Sequence, residues 1–185
     1  AEAVKSRLAG IERQLPQGSR MAMVVDGAKW IRSSISAVQE DMLLGGVLAV
    51  VVVLLFLRNF RSTLVSAVAL PTAIIGTFAV MRALHFTFNV VTMLALTLSI
   101  GLLIDDAIVV IENIVRHLEH GQAPQRAAEE GTGEIALAVL AVTLAVVAVF
   151  VPVAFMEGIM GRFFYQFGVT VAVAVLISYL VSMTL

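Results

Sequence analysis

Two adjacent aspartates inside an apolar run constrain this chain more than any other feature. From Asn89 to His117 the sequence reads NVVTMLALTLSIGLLIDDAIVVIENIVRH. A membrane-crossing helix needs about 20 predominantly apolar residues, and this run is longer. Yet Asp105 and Asp106 sit near its middle, and Glu112 follows. A carboxylate at mid-membrane depth costs ~2.5–3.5 kcal/mol on insertion scales, so two in succession imply a compensating environment.

Helical geometry arranges these acids. Successive residues point about 100° apart, so Asp105 and Asp106 occupy neighbouring sectors of one face. Glu112 lies two turns beyond Asp105 in the same sector. Gly101 lies one turn before it, where the lack of a side chain lets a neighbouring helix approach closely. Thr92, Ser99, Asp106 and Asn113 recur at intervals of seven, a second polar line beside the first. The other sectors hold Leu, Ile, Val and Ala and suit lipid or apolar helices. The run therefore presents an acidic stripe to a protein interior or a water path. Desolvation and a like-charged neighbour both favour the protonated form of one aspartate. The residues point to a proton-relay or cation-coupling site; the plainer alternative is a carboxylate pair locked to a basic partner for packing. Acids within membrane segments are functional by default, which favours the relay.

Composition sets the class. The chain has 185 residues, 60 % hydrophobic and 14 % charged, with a mean hydropathy of +1.01. Soluble domains are nearer half apolar and a quarter charged, so this is read as an integral membrane protein. A net charge of -1 gives no sign of nucleic-acid binding. With no cysteine, disulfides, cysteine-ligated metals and thiol catalysis are excluded. The start, AEAVKSRLAGIERQL, reads as mid-helix and the end, LISYLVSMTL, stops in an apolar run, so the chain is expected to be a fragment of a larger protein.

In chain order, Val4, Leu8, Ile11 and Leu15 have helical spacing and predict an amphipathic helix over residues 2–15. Pro16-Gln17-Gly18 ends it, residues 20–25 suit a short strand, and Asp26-Gly27 is a turn signal. Residues 1–32 thus read as the tail of a water-exposed α/β domain, with Trp30 either at the lipid boundary or in a core. From about Ile31 a helical stripe of Ile31, Ile35, Val38 and Met42 leads into residues that are apolar all round to Leu57. Four further spans follow, so that spans begin near 42, 63, 90, 135 and 164. Pro71 is expected to kink the second and Pro152 lies near the far end of the fourth. Gly121 fits a helix stop and Pro124 a restart; residues 127–130 predict a short surface helix separate from the span over 135–156. His117 and His120 are three apart and form at most a weak metal pair, read as a solvated helix end.

Orientation follows the Lys/Arg bias of short loops. Arg58, Arg61, Arg116 and Arg126 fall in the 58–61 turn and the 116–134 loop, against Arg82 and Arg162 in the other two turns. The first pair is expected to be cytoplasmic and the N-terminal segment outside.

The run from Gly101 to Asn113, GLLIDDAIVVIEN, resembles the fourth transmembrane helix of resistance-nodulation-division (RND) transporters, and more narrowly their hydrophobe/amphiphile efflux branch, the acriflavine-resistance type. The Leu15-Pro16-Gln17-Gly18 turn, the stretch from Phe56 to Leu64, Leu70-Pro71 and Phe150-Val151-Pro152 fit the same pattern, so the resemblance covers essentially the whole chain. It implies an all-α polytopic membrane protein, a fragment of a twelve-helix fold. Residues 1–32 would end a periplasmic porter subdomain, the short α/β remnant; residues 33–185 would be helices two to five and most of six. It further implies a homotrimer in the inner membrane of Gram-negative bacteria. Its partners would be a periplasmic adaptor, an outer-membrane channel, membrane lipids and amphiphilic substrates, with no nucleic acid.

Transport would draw on the proton motive force with no cofactor or metal: drugs, dyes, detergents or bile salts leave as protons enter. Asp105 and Asp106 take the family's relay positions, opposite a lysine on a helix of the second repeat that lies outside this chain. Gly101, Glu112 and Asn113 are expected to give close packing or polar support. The heavy-metal branch usually has one aspartate followed by a small residue, and Asp106 argues against it; Met21, Met23, Met93 and Met156 are read as packing. Two other readings compete. An exporter of narrow cargo, such as a metal ion or a lipid, would share the proton logic. An intramembrane aspartyl protease needs two aspartates facing each other, generally from different helices, whereas adjacent residues diverge and no other expected span carries an aspartate.

Overall fold

A computed structural model describes Arg7, Pro16 and residues 27–184. Of the first 26 residues only Arg7 and Pro16 are described. The expected amphipathic helix, strand and turns there, and with them the α/β remnant, lie outside the described residues, as does the side chain of Trp30. The described part is helical, with no strand among the described residues. Five helices follow one another: α1 (Gly27–Leu57), α2 (Phe60–Ala83), α3 (Val90–Glu119), α4 (Pro124–Ala154) and α5 (Gly158–Thr184). Each is long and apolar enough to cross a membrane. The expected domain boundary at residues 32 and 33 falls inside α1, which runs through it unbroken.

Two expectations are corrected. Residues 127–130 are not a separate surface helix: α4 is continuous from Pro124 to Ala154, through Gly131-Thr132-Gly133. Glycine weakens a solvated helix, but Gly131 is buried against α3, and tertiary packing overrides its low propensity. A second aspartate-bearing span also exists, because the apolar stretch of α1, Ile31–Leu55, takes in the exposed Asp41. Pro71 sits inside α2 and Pro152 in the last turn of α4, where the helix ends within two residues.

The connections are short and are closed by left-handed residues. Gly121 (φ 84°) ends α3, with the Gln122 amide donating back to the His117 carbonyl at 3.3 Å. This is the glycine-terminated stop that the sequence suggests. Arg58 and His85 take the same backbone region at φ 48° and 56°.

Helix α3 is the centre of the bundle and touches all four others. Leu70 and Ala73 of α2 meet Ile100 and Leu103 of α3 and Ala174 of α5. Ala95 packs with Val171 and Val175. Met81, Met93 and Leu96 form a third cluster, on which Ile35 and Val38 of the α1 stripe rest while Ile31 is exposed. Small residues let the axes approach: a side chain at Gly168 of α5 would meet the Phe150 carbonyl of α4 at 2.7 Å. Much of the outside is Leu, Val, Ile and Phe, as on Leu43, Leu48, Leu55, Leu137 and Val149. Such a surface requires lipid or further helices around it.

Candidate functional site

The site is built on α3, and its geometry starts at the N-terminus of that helix. The Asn89 Oδ1 accepts from the Val91 and Thr92 amides at 2.9 and 3.0 Å, and the Thr92 hydroxyl accepts from the Asn89 amide at 3.0 Å. This reciprocal cap satisfies donors that an apolar medium cannot. Asn89 Nδ2 donates to Gln166 Oε1 in the third turn of α5 at 2.6 Å, tying the start of α3 to α5. At the opposite end of the bundle α3 is tied to α4, and between the two ties lie the aspartates.

The two polar lines have different fates. Thr92 and Ser99 are fully buried, and Asp106 and Asn113 are each 7 % exposed. The line at intervals of seven therefore faces the interior of this chain. Gly101, Asp105 and Glu112 are all exposed. No described helix approaches Gly101: a side chain there would meet nothing within 4 Å among the described residues. Asp105 and Glu112 have no hydrogen bond or ion pair to any described residue, and neither aspartate pairs with a described lysine or arginine. The acidic stripe thus lies on a face that the described helices leave open.

Asp106 packs beside Ser178 of α5. The Ser178 hydroxyl donates to the Leu103 carbonyl at 2.9 Å, and Asp106 Oδ2 is buried without a hydrogen-bond partner. An unsatisfied buried carboxylate oxygen is costly when charged. The pair has two consistent states. A protonated Asp106 can donate to Ser178 Oγ while Ser178 holds Leu103; a charged Asp106 competes for the single hydroxyl hydrogen of Ser178. A cavity of about 640 Å³ lies among α2, α3, α4 and α5. Ser62, Glu129, Thr132, Ser182 and Thr184 are the polar residues of its lining, and it reaches Ala107, the residue after Asp106.

Two turns beyond Asp106, Asn113 Nδ2 donates to the Gly131 carbonyl at 2.7 Å and to Glu134 Oε2 at 3.2 Å. The same Glu134 oxygen pairs with Arg116 at 2.9 Å and with His117 Nε2 at 3.1 Å. His120 turns instead to the Arg116 carbonyl at 2.6 Å, so the two histidines have separate partners. No group of three or more His, Asp or Glu among the described residues is arranged to hold a metal. Sequence reasoning missed Ser178, Gly131 and Glu134. Only Ser178 carried a signal, as a hydroxyl inside an apolar span.

Four apolar helices around a central helix that carries the polar lines define a multi-pass membrane protein. The AcrB/AcrD/AcrF family matches residues 1–185, and the chain belongs to that family, whose members are transporters of the RND type.

Proposed function

We propose that this chain carries the proton-coupling half of a drug/proton antiporter of the hydrophobe/amphiphile efflux branch. The observation that carries the reading is the split environment of two adjacent carboxylates at mid-helix. Asp106 is buried beside Ser178, while Asp105 is presented on an open acidic face with Gly101 and Glu112. That face suits a helix from outside these 185 residues bearing a cation, as the second-repeat lysine of the resembled transporters would. A proton arriving at the pair removes the attraction and lets the facing helix move; its loss restores the attraction. Two helix positions biased by one protonation event are what coupling to a soluble porter domain requires. Each charge crossing the potential contributes ~2.3 kcal/mol per 100 mV.

The assembly is a homotrimer in the bacterial inner membrane, working with a periplasmic adaptor and an outer-membrane channel. Residues 1–32 are periplasmic, and the 58–61 and 116–134 connections are cytoplasmic. Asp105 and Asp106 relay the proton. Gly101 and Glu112 offer the facing helix a close approach and a polar contact, and Asn113 holds α3 against α4.

The test uses the full-length protein with its adaptor and channel in a host lacking its own pumps. Dye efflux is followed with and without a protonophore. Wild type is expected to export dye in a protonophore-sensitive way, and Asp105→Asn and Asp106→Asn each to abolish export with normal expression and assembly. Normal export by either variant removes that residue from the relay. An assembled wild type that exports no dye points to a narrower cargo, metal ions and lipids being next.

A further inference from the structure

The junction between α3 and α4 holds a histidine whose charge state follows from its neighbours. His117 Nδ1 lies 2.9 Å from Gln122 Oε1, and its Nε2 lies 3.1 Å from Glu134 Oε2. The orientation of the Gln122 amide is fixed independently. Its Nε2 donates to Glu130 Oε2 at 2.8 Å, and a carboxylate only accepts, so Gln122 turns its oxygen to the ring. Both ring nitrogens of His117 therefore face acceptors. A neutral imidazole has one donor and one acceptor, so it would aim a lone pair at either Gln122 or Glu134. Only the doubly protonated ring satisfies both contacts.

The place of this ring matters as much as its charge. Glu134 Oε2 gathers Asn113, Arg116 and His117, three residues from two successive turns of α3. The His117 ring also lies against Gly131, where a side chain would meet Cδ2 at 3.3 Å. Of the charged groups around it, Glu134 faces it from α4 and Arg116 flanks it on α3. Glu130 stands behind Gln122 and is itself paired with Arg126 at 3.4 Å. Glu134 and Glu130 lie ahead of the apolar stretch of α4. We propose that His117 is a protonation-dependent latch, closing the α3–α4 junction when charged and loosening it when neutral. Loss of its proton leaves Arg116 and Asn113 on Glu134, so the junction slackens and does not come apart. The latch sits two to three turns from Asp106 on the same helix, and under the orientation proposed above it senses cytoplasmic pH. The rest of the inference does not depend on that orientation.

The experiment is hydrogen–deuterium exchange of the full-length protein in nanodiscs between about pH 6 and about pH 8.5, corrected for intrinsic exchange, across the range where histidine changes charge. Amides over 117–134 are expected to exchange about tenfold faster at the alkaline end, the ratio given by losing one charge-assisted hydrogen bond. His117→Gln is expected to flatten the profile at the faster level while leaving α5 unchanged. A wild type without pH dependence, or a His117→Gln profile matching wild type, overturns the latch. Should His117→Gln fail to assemble, Gln122→Ala removes only the Nδ1 acceptor, which leaves the neutral ring satisfied by Glu134 alone, and is expected to weaken the pH dependence of exchange over 117–134; an unchanged profile overturns it equally. Dye efflux is scored separately, so a failed latch leaves the antiport reading standing, and a protein that exports no dye can still show the latch.

Discussion

Asp106 is 7 % exposed and packs beside Ser178, while Asp105, one residue earlier, points out of the bundle. The ~100° between successive helical side chains accounts for the difference. The same geometry makes Asn113, seven residues on from Asp106, a buried donor rather than a surface amide. Asn113→Ala removes the bonds to the Gly131 carbonyl and Glu134 and leaves that carbonyl without its side-chain donor. It is expected to destabilise the protein by ~1–3 kcal/mol, checked by thermal unfolding in detergent, and Asn113→Gln to restore little because the longer chain no longer fits the close approach. The interval-of-seven line was legible in the sequence because period alone defines a helix face. Which of the two lines is buried was not, since that depends on where α5 and α4 come to rest. Glu134 was illegible for a similar reason: it meets His117 only because the 120–123 turn folds α4 back against α3.

Helix α4 shows how an element is decided by what it touches. Gly131-Thr132-Gly133 looks like loop chemistry, yet the helix runs through it. The two glycines differ in their surroundings. A side chain at Gly131 would lie 3.1 and 3.2 Å from the Ile114 backbone, whereas one at Gly133 meets nothing within 4 Å. Gly131→Ala is therefore expected to push α4 from α3 and cost about 1–3 kcal/mol. Gly133→Ala is expected to be neutral or to stabilise by up to ~1 kcal/mol through helix propensity. Parallel melts of the two variants check the pair, and equal effects would contradict the packing. The existence of five spans was readable from apolar run length. The restart of α4 at Pro124 was readable too, but its continuity through Gly131-Thr132-Gly133 was not, because a buried glycine and an exposed one look alike in sequence.

At the scale of the whole molecule, the open acidic face is the main consequence of the fold. Gly101 stands on it with no described neighbour. Gly101→Leu should leave the packing of these five helices intact, yet it places a bulky side chain where the proposed cation-bearing helix would dock. In the full-length protein, expression and trimer formation are expected to be normal and dye efflux to fall at least about tenfold, a loss of ~1.4 kcal/mol or more in the coupled step. Unchanged efflux would move the docking face elsewhere. The buried line also has a mechanical consequence. Four polar residues from Thr92 to Asn113 remain covered over three intervals of seven, a rise of about 31 Å. An ideal helix drifts only ~20° per interval relative to such a seam. Motion of α3 that keeps to the seam is thus almost pure translation: a slide of about 3 Å carries roughly 6° of turn. A helix held to this track would move as a piston and not as a rotor.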